Sequence, residues 1–227
     1  MQKTIRICHL YGNLLNTYGD NGNLLMIQYY ARQSGYQVET TIVSLEDHFS
    51  ANDYDIVFFG GGQDYEQKIV SQDIQRHREA LKTYIENNGV LLAICGGFQL
   101  LGQYYVAADG QQIKGLNLLD FYTESQDNHR FIGDIEIFDE INQKTYYGFE
   151  NHNGMTYLQG DLQALGKVIT GNGNNGQDKT EGLHYKNVYA SYFHGPLLVR
   201  NEDLAQHLVQ LAIDQINGRL ANKTEIQ

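Results

Sequence analysis

The stretch Val90-Leu91-Leu92-Ala93-Ile94-Cys95-Gly96-Gly97-Phe98-Gln99-Leu100-Leu101-Gly102 decides how the rest of the chain is read. An unbroken apolar run from Val90 to Ile94, closed by a cysteine, reads as a strand buried on both faces. Two glycines follow, and then a helix-compatible segment. A strand that turns sharply into a helix at a nucleophile is an elbow: the turn exposes the side chain, and small neighbours allow close packing. The start of that helix leaves backbone N–H groups unpaired, which favours a thiolate and offers donors to an oxyanion. The competing reading is a small cysteine buried at a strand end, as free cysteines often are.

Upstream, Ile56-Val57-Phe58-Phe59 is a second buried strand and runs into Gly60-Gly61-Gly62-Gln63-Asp64. Glycines let backbone approach a ligand closely, so this loop and the Gly96 N–H together suit an oxyanion hole; a plain tight turn is the alternative. No Gly-Lys-Ser/Thr follows, which argues against a phosphate loop. Thr4–Leu10 reads as the first strand and Tyr11–Asn21 as a polar loop. Asn23–Ser34 is helical, with Leu24, Ile27 and Tyr30/Ala31 in phase and Gly35 as its stop. Tyr36–Val43 is strand, and Asp73–Asn88 helix, with Asp73 as an N-cap or first-turn acid and Gly89 past its end. Strand and helix alternating in this way predict an α/β fold with a mostly parallel central sheet covered by helices on both faces. Reacting groups in such sheets lie beyond the carboxyl ends of the strands, where the Gly60 loop and Cys95 both fall.

The second half holds extra strands: Ile132–Phe138, Tyr146–Glu150, Lys167–Thr170, Glu181–Tyr185 and Val188–Phe193, with Lys186-Asn187 as a hairpin turn between the last two. Asn172–Gly176 reads as a flexible loop, and Asn201–Asn217 as an amphipathic helix with Leu204, Leu208, Leu211 and Ile216 on its apolar side. One domain is expected over 1–220, followed by a short polar tail, 221–227.

Composition narrows the function. The chain has 227 residues, 41% of them hydrophobic, with a single proline and no linker-like tract. No apolar run approaches the roughly 18 residues of a membrane span, and Met1–Ile7 enters a strand pattern with no apolar leader. A soluble cytoplasmic protein is expected. Sixteen basic against 27 acidic residues give a net charge of −11, and no basic stripe is present to neutralise phosphates, so nucleic acid is not an expected partner. Cys8 and Cys95 make no disulfide framework, and no pair of histidines has zinc spacing; no cofactor or metal is expected.

A thiol nucleophile needs a base. Tyr189–Phe193 delivers His194-Gly195-Pro196 at a strand end, where an imidazole faces the crevice that holds Cys95. His9, His48, His77, His129, His152, His184 and His207 compete, with His194 ahead because it follows a late strand.

The Gly-Gly-Gly loop, the Cys95-Gly96-Gly97-Phe98-Gln99 elbow and the late Phe193-His194-Gly195, in that order, resemble the class I glutamine amidotransferases, in particular their cobyric acid synthase branch. Gly148-Phe149-Glu150-Asn151-His152-Asn153-Gly154 is similar to a tyrosine-glutamate-x-histidine-x-glycine segment of that branch. The opening His9–Asn23, with Arg130–Asp134 and His194–Leu198, is similar to the glutaminase subunits that serve lipid II amidation. The resemblance covers nearly the whole chain and implies a flavodoxin-like sheet. It implies that Cys95 attacks the carboxamide of L-glutamine, that His194 moves the protons, and that Gly61 or Gly62 with Gly96 binds the oxyanion. Gln99 and Arg130 would hold substrate, Arg130 through the glutamine carboxylate. It also implies a heterodimer with a Mur ligase-like, ATP-dependent (MurT-type) subunit, which uses the ammonia to convert D-glutamate of lipid II to D-isoglutamine.

One position departs from the family pattern. Class I enzymes carry a glutamate two residues after the histidine, to orient the ring, and here that residue is Pro196. A carboxylate must then come from elsewhere in the chain, Glu150 for example, or from the partner, or the histidine works as a dyad. A partner-supplied acid leads to the expectation that the isolated chain is a poor glutaminase. Two other readings remain: a DJ-1/PfpI-like cysteine hydrolase, which also places its cysteine on an elbow, and an idle binding subunit with a decayed triad.

Overall fold

Neighbouring residues of the central strands serve opposite cores. In β3 (Ile56–Phe59), Ile56 and Phe58 pack into one apolar cluster, Val57 and Phe59 into the other. In β4 (Val90–Ile94) the split falls between Val90, Leu92 and Ile94 on one side and Leu91 and Ala93 on the other. Side chains alternate faces along a strand, so apolar runs without alternation demand cover on both sides. The computed structural model, which describes residues 3–126 and 129–224, supplies that cover.

With β1 (Thr4–Leu10), β2 (Gln37–Val43), β13 (Leu183–Tyr185) and β14 (Val188–Ser191), these strands form a six-stranded sheet in the order β13-β14-β4-β3-β1-β2. All neighbours are parallel except the β13–β14 hairpin, which turns at Lys186-Asn187. This is the doubly wound order of flavodoxin-like sheets, whose ligands sit where the winding reverses. The segments that leave β1, β3 and β4 at their carboxyl ends therefore share one rim.

One face carries α1 (Asn21–Gln33), α6 (Glu202–Thr224) and the inner side of an antiparallel sheet. That sheet is β8 (Phe131–Asp139), β9 (Lys144–His152), β11 (Gly166–Thr170), β12 (Thr180–Glu181) and β15 (Phe193–His194), in the order β12-β11-β8-β9-β15. The other face carries α2 (Asp64–Asp73), α3 (Arg78–Glu86) and a small sheet of β5 (Tyr104–Val106), β6 (Gln112–Lys114), β7 (Phe121–Ser125) and β10 (Gly154–Leu158). Two short helices complete the chain, α4 (Gly96–Leu101) at the elbow and α5 (Leu197–Arg200) after β15. Among the described residues, no helix is long and apolar enough to cross a membrane.

The structure differs from the sequence reading at several places, among them the strand expected over Glu181–Tyr185, which divides into β12 and β13 of two different sheets. The helix expected over Asp73–Asn88 begins at Asp64, with Asp64 and Glu66 as its first-turn acids, and continues after a 3-10 turn at Ile74–His77 as α3. Asp73 ends α2 rather than capping a helix, and its carboxylate accepts the Tyr11 hydroxyl at 2.6 Å. Residues 172–176 are not a flexible loop: Asn174 and Asn175 are buried, and Glu150 accepts the Asn172 N–H at 2.9 Å and the Gly173 N–H at 2.9 Å. The strand expected over Val188–Phe193 breaks at Tyr192, and β15 leaves the central sheet to pair with β9. Finally, α6 runs through residue 220 to Thr224, and along it Asn217 accepts from Lys3 at 2.6 Å and Arg219 pairs with buried Asp55. The domain boundary expected at 220 thus falls inside a helix; residues 225–227 of the expected tail, like Met1 and Gln2, lie outside the described residues.

Gly97 sits where β3 and the elbow touch: a Cβ there would lie 2.4 Å from the Phe59 carbonyl oxygen and 2.9 Å from that of Gly60. Backbone on both sides leaves nothing to yield cheaply. We expect Gly97→Ala to lower unfolding free energy by about 1–3 kcal/mol, the usual cost of overpacking, measured by urea denaturation.

Candidate active site

Cys95 leaves β4 with φ 50° and ψ −104°, a conformation that side-chain-bearing residues rarely adopt. Its neighbours hold it there. The Cys95 N–H donates to the Ser191 carbonyl at 2.9 Å, and the Gly97 N–H to the Gly60 carbonyl at 3.1 Å. Gly61 lies so close that a Cβ on it would stand 3.0 Å from the Cys95 Cβ and 3.1 Å from Asp20 Oδ2. A strained turn persists only where its surroundings over-determine it, and here β3, β4 and β14 all contribute.

His194, at the end of β15, is buried and faces two partners. Its Nδ1 lies 3.3 Å from Asp20 Oδ1, and the Cys95 side chain is near enough to favour a charge on the ring. Burial opposes a charge on this ring, but its neighbours Asp20 and Cys95 outweigh it and push the imidazole up to about 10. Asp20 is wholly buried, and its other oxygen accepts the Gly61 N–H at 2.8 Å. It occupies the N-cap position of α1 without capping that helix. A carboxylate of the opening loop thus stands against the His194 ring, while Glu150 is committed to the 172–173 backbone. Pro196 itself packs on the start of α1, where a Cβ on Gly22 would lie 2.3 Å from its Cγ. Asn23 Oδ1 accepts the Leu198 N–H at 2.8 Å, fastening the segment after His194 to the same helix.

A cleft of about 360 Å³ opens over Cys95, lined among others by Gly62, Gln67, Gln99, Arg130 and His152. The structure thus brings Cys95, Gly62, Gln99 and Arg130 to one cleft, with His194 behind the thiol and Gly96 next to it. Gly61 is a correction: its N–H is given to Asp20, so the expected oxyanion donors reduce to Gly62 and Gly96. Gln99 is held from both ends, accepting from Gln67 Nε2 at 3.0 Å and donating to the Tyr192 hydroxyl at 3.3 Å. Arg130 grips Asn151, with Nε 3.1 Å and Nη2 2.9 Å from its Oδ1. His152 stacks flat on Tyr192 at 3.7 Å, and its Nδ1 meets the Gly154 carbonyl at 2.8 Å. Burial keeps that ring neutral by lowering its pKa, so it forms a wall of the cleft.

The other groups have structural partners. His9 is buried against Phe58, with burial pushing it down to about 4; His77 is buried beside Phe49. His184 stacks on Tyr189, whose hydroxyl bonds His207 at 2.8 Å. His48 and His129 are exposed. Cys8 is fully buried in β1, and burial pushes its thiol far up.

The CobB/CobQ-like glutamine amidotransferase domain matches residues 6–202. The chain belongs to that family. It is 57% identical over 215 residues to the lipid II isoglutaminyl synthase (glutamine-hydrolyzing) subunit GatD of Streptococcus pneumoniae, covering 95% of this chain and 83% of that one. Identity to the Staphylococcus aureus protein of the same name is 38%, over 98% of this chain and 92% of the relative. The structure of PurLQS from Thermotoga maritima superposes with a TM-score of 0.63 at 14% identity, covering 95% of this chain and 100% of that one, a likeness of fold. Membership in this family displaces the DJ-1/PfpI-like reading.

An unfolded histidine titrates near 6.5, so the folded chain holds the extra His194 proton between about 6.5 and about 10. The stability this contributes is complete below 6.5 and is lost as pH rises through 10. In Asp20→Asn the ring should titrate at a lower pH than in the wild type, followed by imidazole NMR; an unchanged titration would show that Asp20 does not hold it.

Proposed function

We propose that the chain hydrolyses L-glutamine to glutamate and ammonia through a Cys95 thioester. The ammonia goes to a Mur ligase-like, ATP-dependent subunit that amidates D-glutamate of lipid II, giving D-isoglutamine for peptidoglycan. The observation that carries this reading is the buried line Asp20–His194–Cys95 ending in an open cleft beside Arg130. The 57% identity to a lipid II isoglutaminyl synthase subunit of Streptococcus pneumoniae supports the lipid II assignment. The complex would then act in the cytoplasm at the inner membrane face, where lipid II presents its peptide.

The chemistry follows from the geometry. With Nδ1 turned to Asp20, the far side of the imidazole exchanges protons with Cys95. A thiolate facing an imidazolium attacks the carboxamide carbon, forming the S–C bond and an oxyanion. The Gly62 and Gly96 N–H groups are the donors for that oxyanion. Collapse breaks the C–N bond as the imidazolium gives its proton to the departing nitrogen, releasing ammonia and leaving the thioester. Water then attacks, His194 takes its proton, and the thiolate leaves with glutamate free. Asp20 fixes the tautomer and stabilises the ring each time it is charged. Arg130, oriented by Asn151, pairs with the substrate α-carboxylate, and Gln99, braced by Gln67 and Tyr192, shapes the wall that receives substrate. With Asp20 in the chain, neither a decayed triad nor a partner-supplied acid is needed, and the isolated chain is competent for hydrolysis.

Ammonia release from glutamine tests the assignment. Cys95→Ser should abolish it while Cys8→Ser keeps most of it; equal loss in folded proteins would overturn the choice of nucleophile. Asp20→Asn should lower kcat with KM little changed, by up to roughly 10⁴-fold if the serine-protease case carries over. Arg130→Ala should cost about 1.5–3 kcal/mol in kcat/KM, the range for a charge-assisted hydrogen bond, and leave alkylation of Cys95 by iodoacetamide unchanged. A parallel loss of alkylation would make Arg130 a support of the site instead.

A further inference from the structure

The outer side of the β8–β9 sheet leaves several apolar side chains exposed, and it starts at the mouth of the cleft. Along β8, Ile135 and Ile137 enter the core, so Ile132, Asp134 and Glu136 point outward. Their partners across β9 are Asn151, Phe149 and Tyr147 in turn. Ile132 is 58% exposed, Tyr147 50%, and Val199 of α5, which shares a crevice with Tyr147, 45%. Large apolar side chains are thus left in water on neighbouring strands and a helix. The patch is joined to the site at both ends: Asn151 orients Arg130, and Phe149 stands opposite His194 in the β15–β9 pairing. Beside it stand Asp134 and Glu136, neither of them ion-paired with a described residue.

We propose that this face, built on Ile132, Phe149, Tyr147 and Val199, docks the subunit that consumes the ammonia, through an apolar surface rimmed by lysine or arginine. The inference rests on the glutaminase reading above. Exposed apolar residues next to a reacting centre mark an interaction surface. Ammonia released into neutral water is protonated and loses the lone pair that makes it a nucleophile, so its consumer must cover the mouth. The charge selects among occupants. A second copy paired through the same patch would set the Asp134 and Glu136 carboxylates against their own kind, in chains that each carry −11. An anionic lipid surface is repelled for the same reason. A protein with basic groups around an apolar centre satisfies both features.

The test is the double variant Ile132→Asp/Tyr147→Asp, titrated against the purified ligase subunit. Binding should weaken on the order of 30-fold or more, as for loss of a central contact. Glutamine hydrolysis and iodoacetamide alkylation of Cys95 in the isolated chain should stay at wild-type rates, showing that the variant is folded. Lipid II amidation by the mixed subunits should fall with glutamine as nitrogen source and persist with ammonium chloride. Leu25→Asp, equally exposed at 62% but on α1, should bind as wild type. Unchanged affinity in the double variant, or equal weakening by Leu25→Asp, overturns the proposal. So does a wild-type self-dimer in sedimentation, or flotation with phosphatidylglycerol vesicles, that the double variant abolishes. A wild-type complex that hydrolyses no glutamine would count against the function reading, whereas normal hydrolysis with unchanged affinity counts against this face alone.

Discussion

A carboxylate with no exposed surface, Asp20, is the constraint on which the site depends. Burying an isolated charge is costly unless it is paired and hydrogen-bonded. Asp20 meets that condition by bonding the Gly61 N–H with one oxygen and His194 with the other. Each bond joins a different strand end to the loop after β1, so the position of every group follows from this pair of contacts. The glycine loop is drawn against the elbow, the imidazole is turned with Nδ1 inward, and the thiol faces its other side. Removing the Asp20 carboxylate would leave a buried N–H and a buried ring without their acceptor, which is why its effect extends beyond a single lost bond.

The glycines belong to the same constraint. Gly61 has Cys95 Cβ and Asp20 Oδ2 where a side chain would begin, and Gly97 has the Phe59 carbonyl. Close approach of β3 to the elbow makes the Gly61 N–H reachable from Asp20, and the same approach takes that N–H away from an oxyanion. The loop therefore divides its labour: Gly61 holds the carboxylate, and Gly62 faces the cleft. A run of three glycines in sequence cannot reveal this division, because all three permit it and only the direction of each N–H decides.

Much of the parallel sheet was legible because burial on both faces writes itself as unbroken apolar runs. Ile56–Phe59 and Val90–Ile94 begin and end as read from those runs. The accessory sheets were less legible. Tyr104–Val106, Gln112–Lys114 and Phe121–Ser125 are short, half-exposed strands whose pairing is settled by tertiary contacts. The 172–176 segment has the composition of a mobile loop and is fixed by Glu150, a contact that only the folded chain makes. Asp20 was missed because it lies in the stretch read as a polar loop, Tyr11–Asn21, whereas its carboxylate is buried and turned inward. The available signal was the pairing of Gly22 with Pro196: a residue lacking a side chain at the start of α1, and a proline where the orienting glutamate belongs.

That exchange has a consequence for when the site exists. An acid two residues from its histidine lies on the same segment and needs little of the fold to reach it. Asp20 and His194 are 174 positions apart, and the acid is placed by the loop after β1 while the base is placed by β15. Closing so long a loop is unfavourable until the intervening strands and helices have packed. Asn23 and Pro196, which tie the residues after His194 to α1, form their contacts at the same step. A chain with only part of the fold in place therefore carries the Cys95 thiol without an oriented base. In the proposed mechanism nucleophile, base and acid come from β4, β15 and the opening loop, so catalytic competence arrives with completion of the fold.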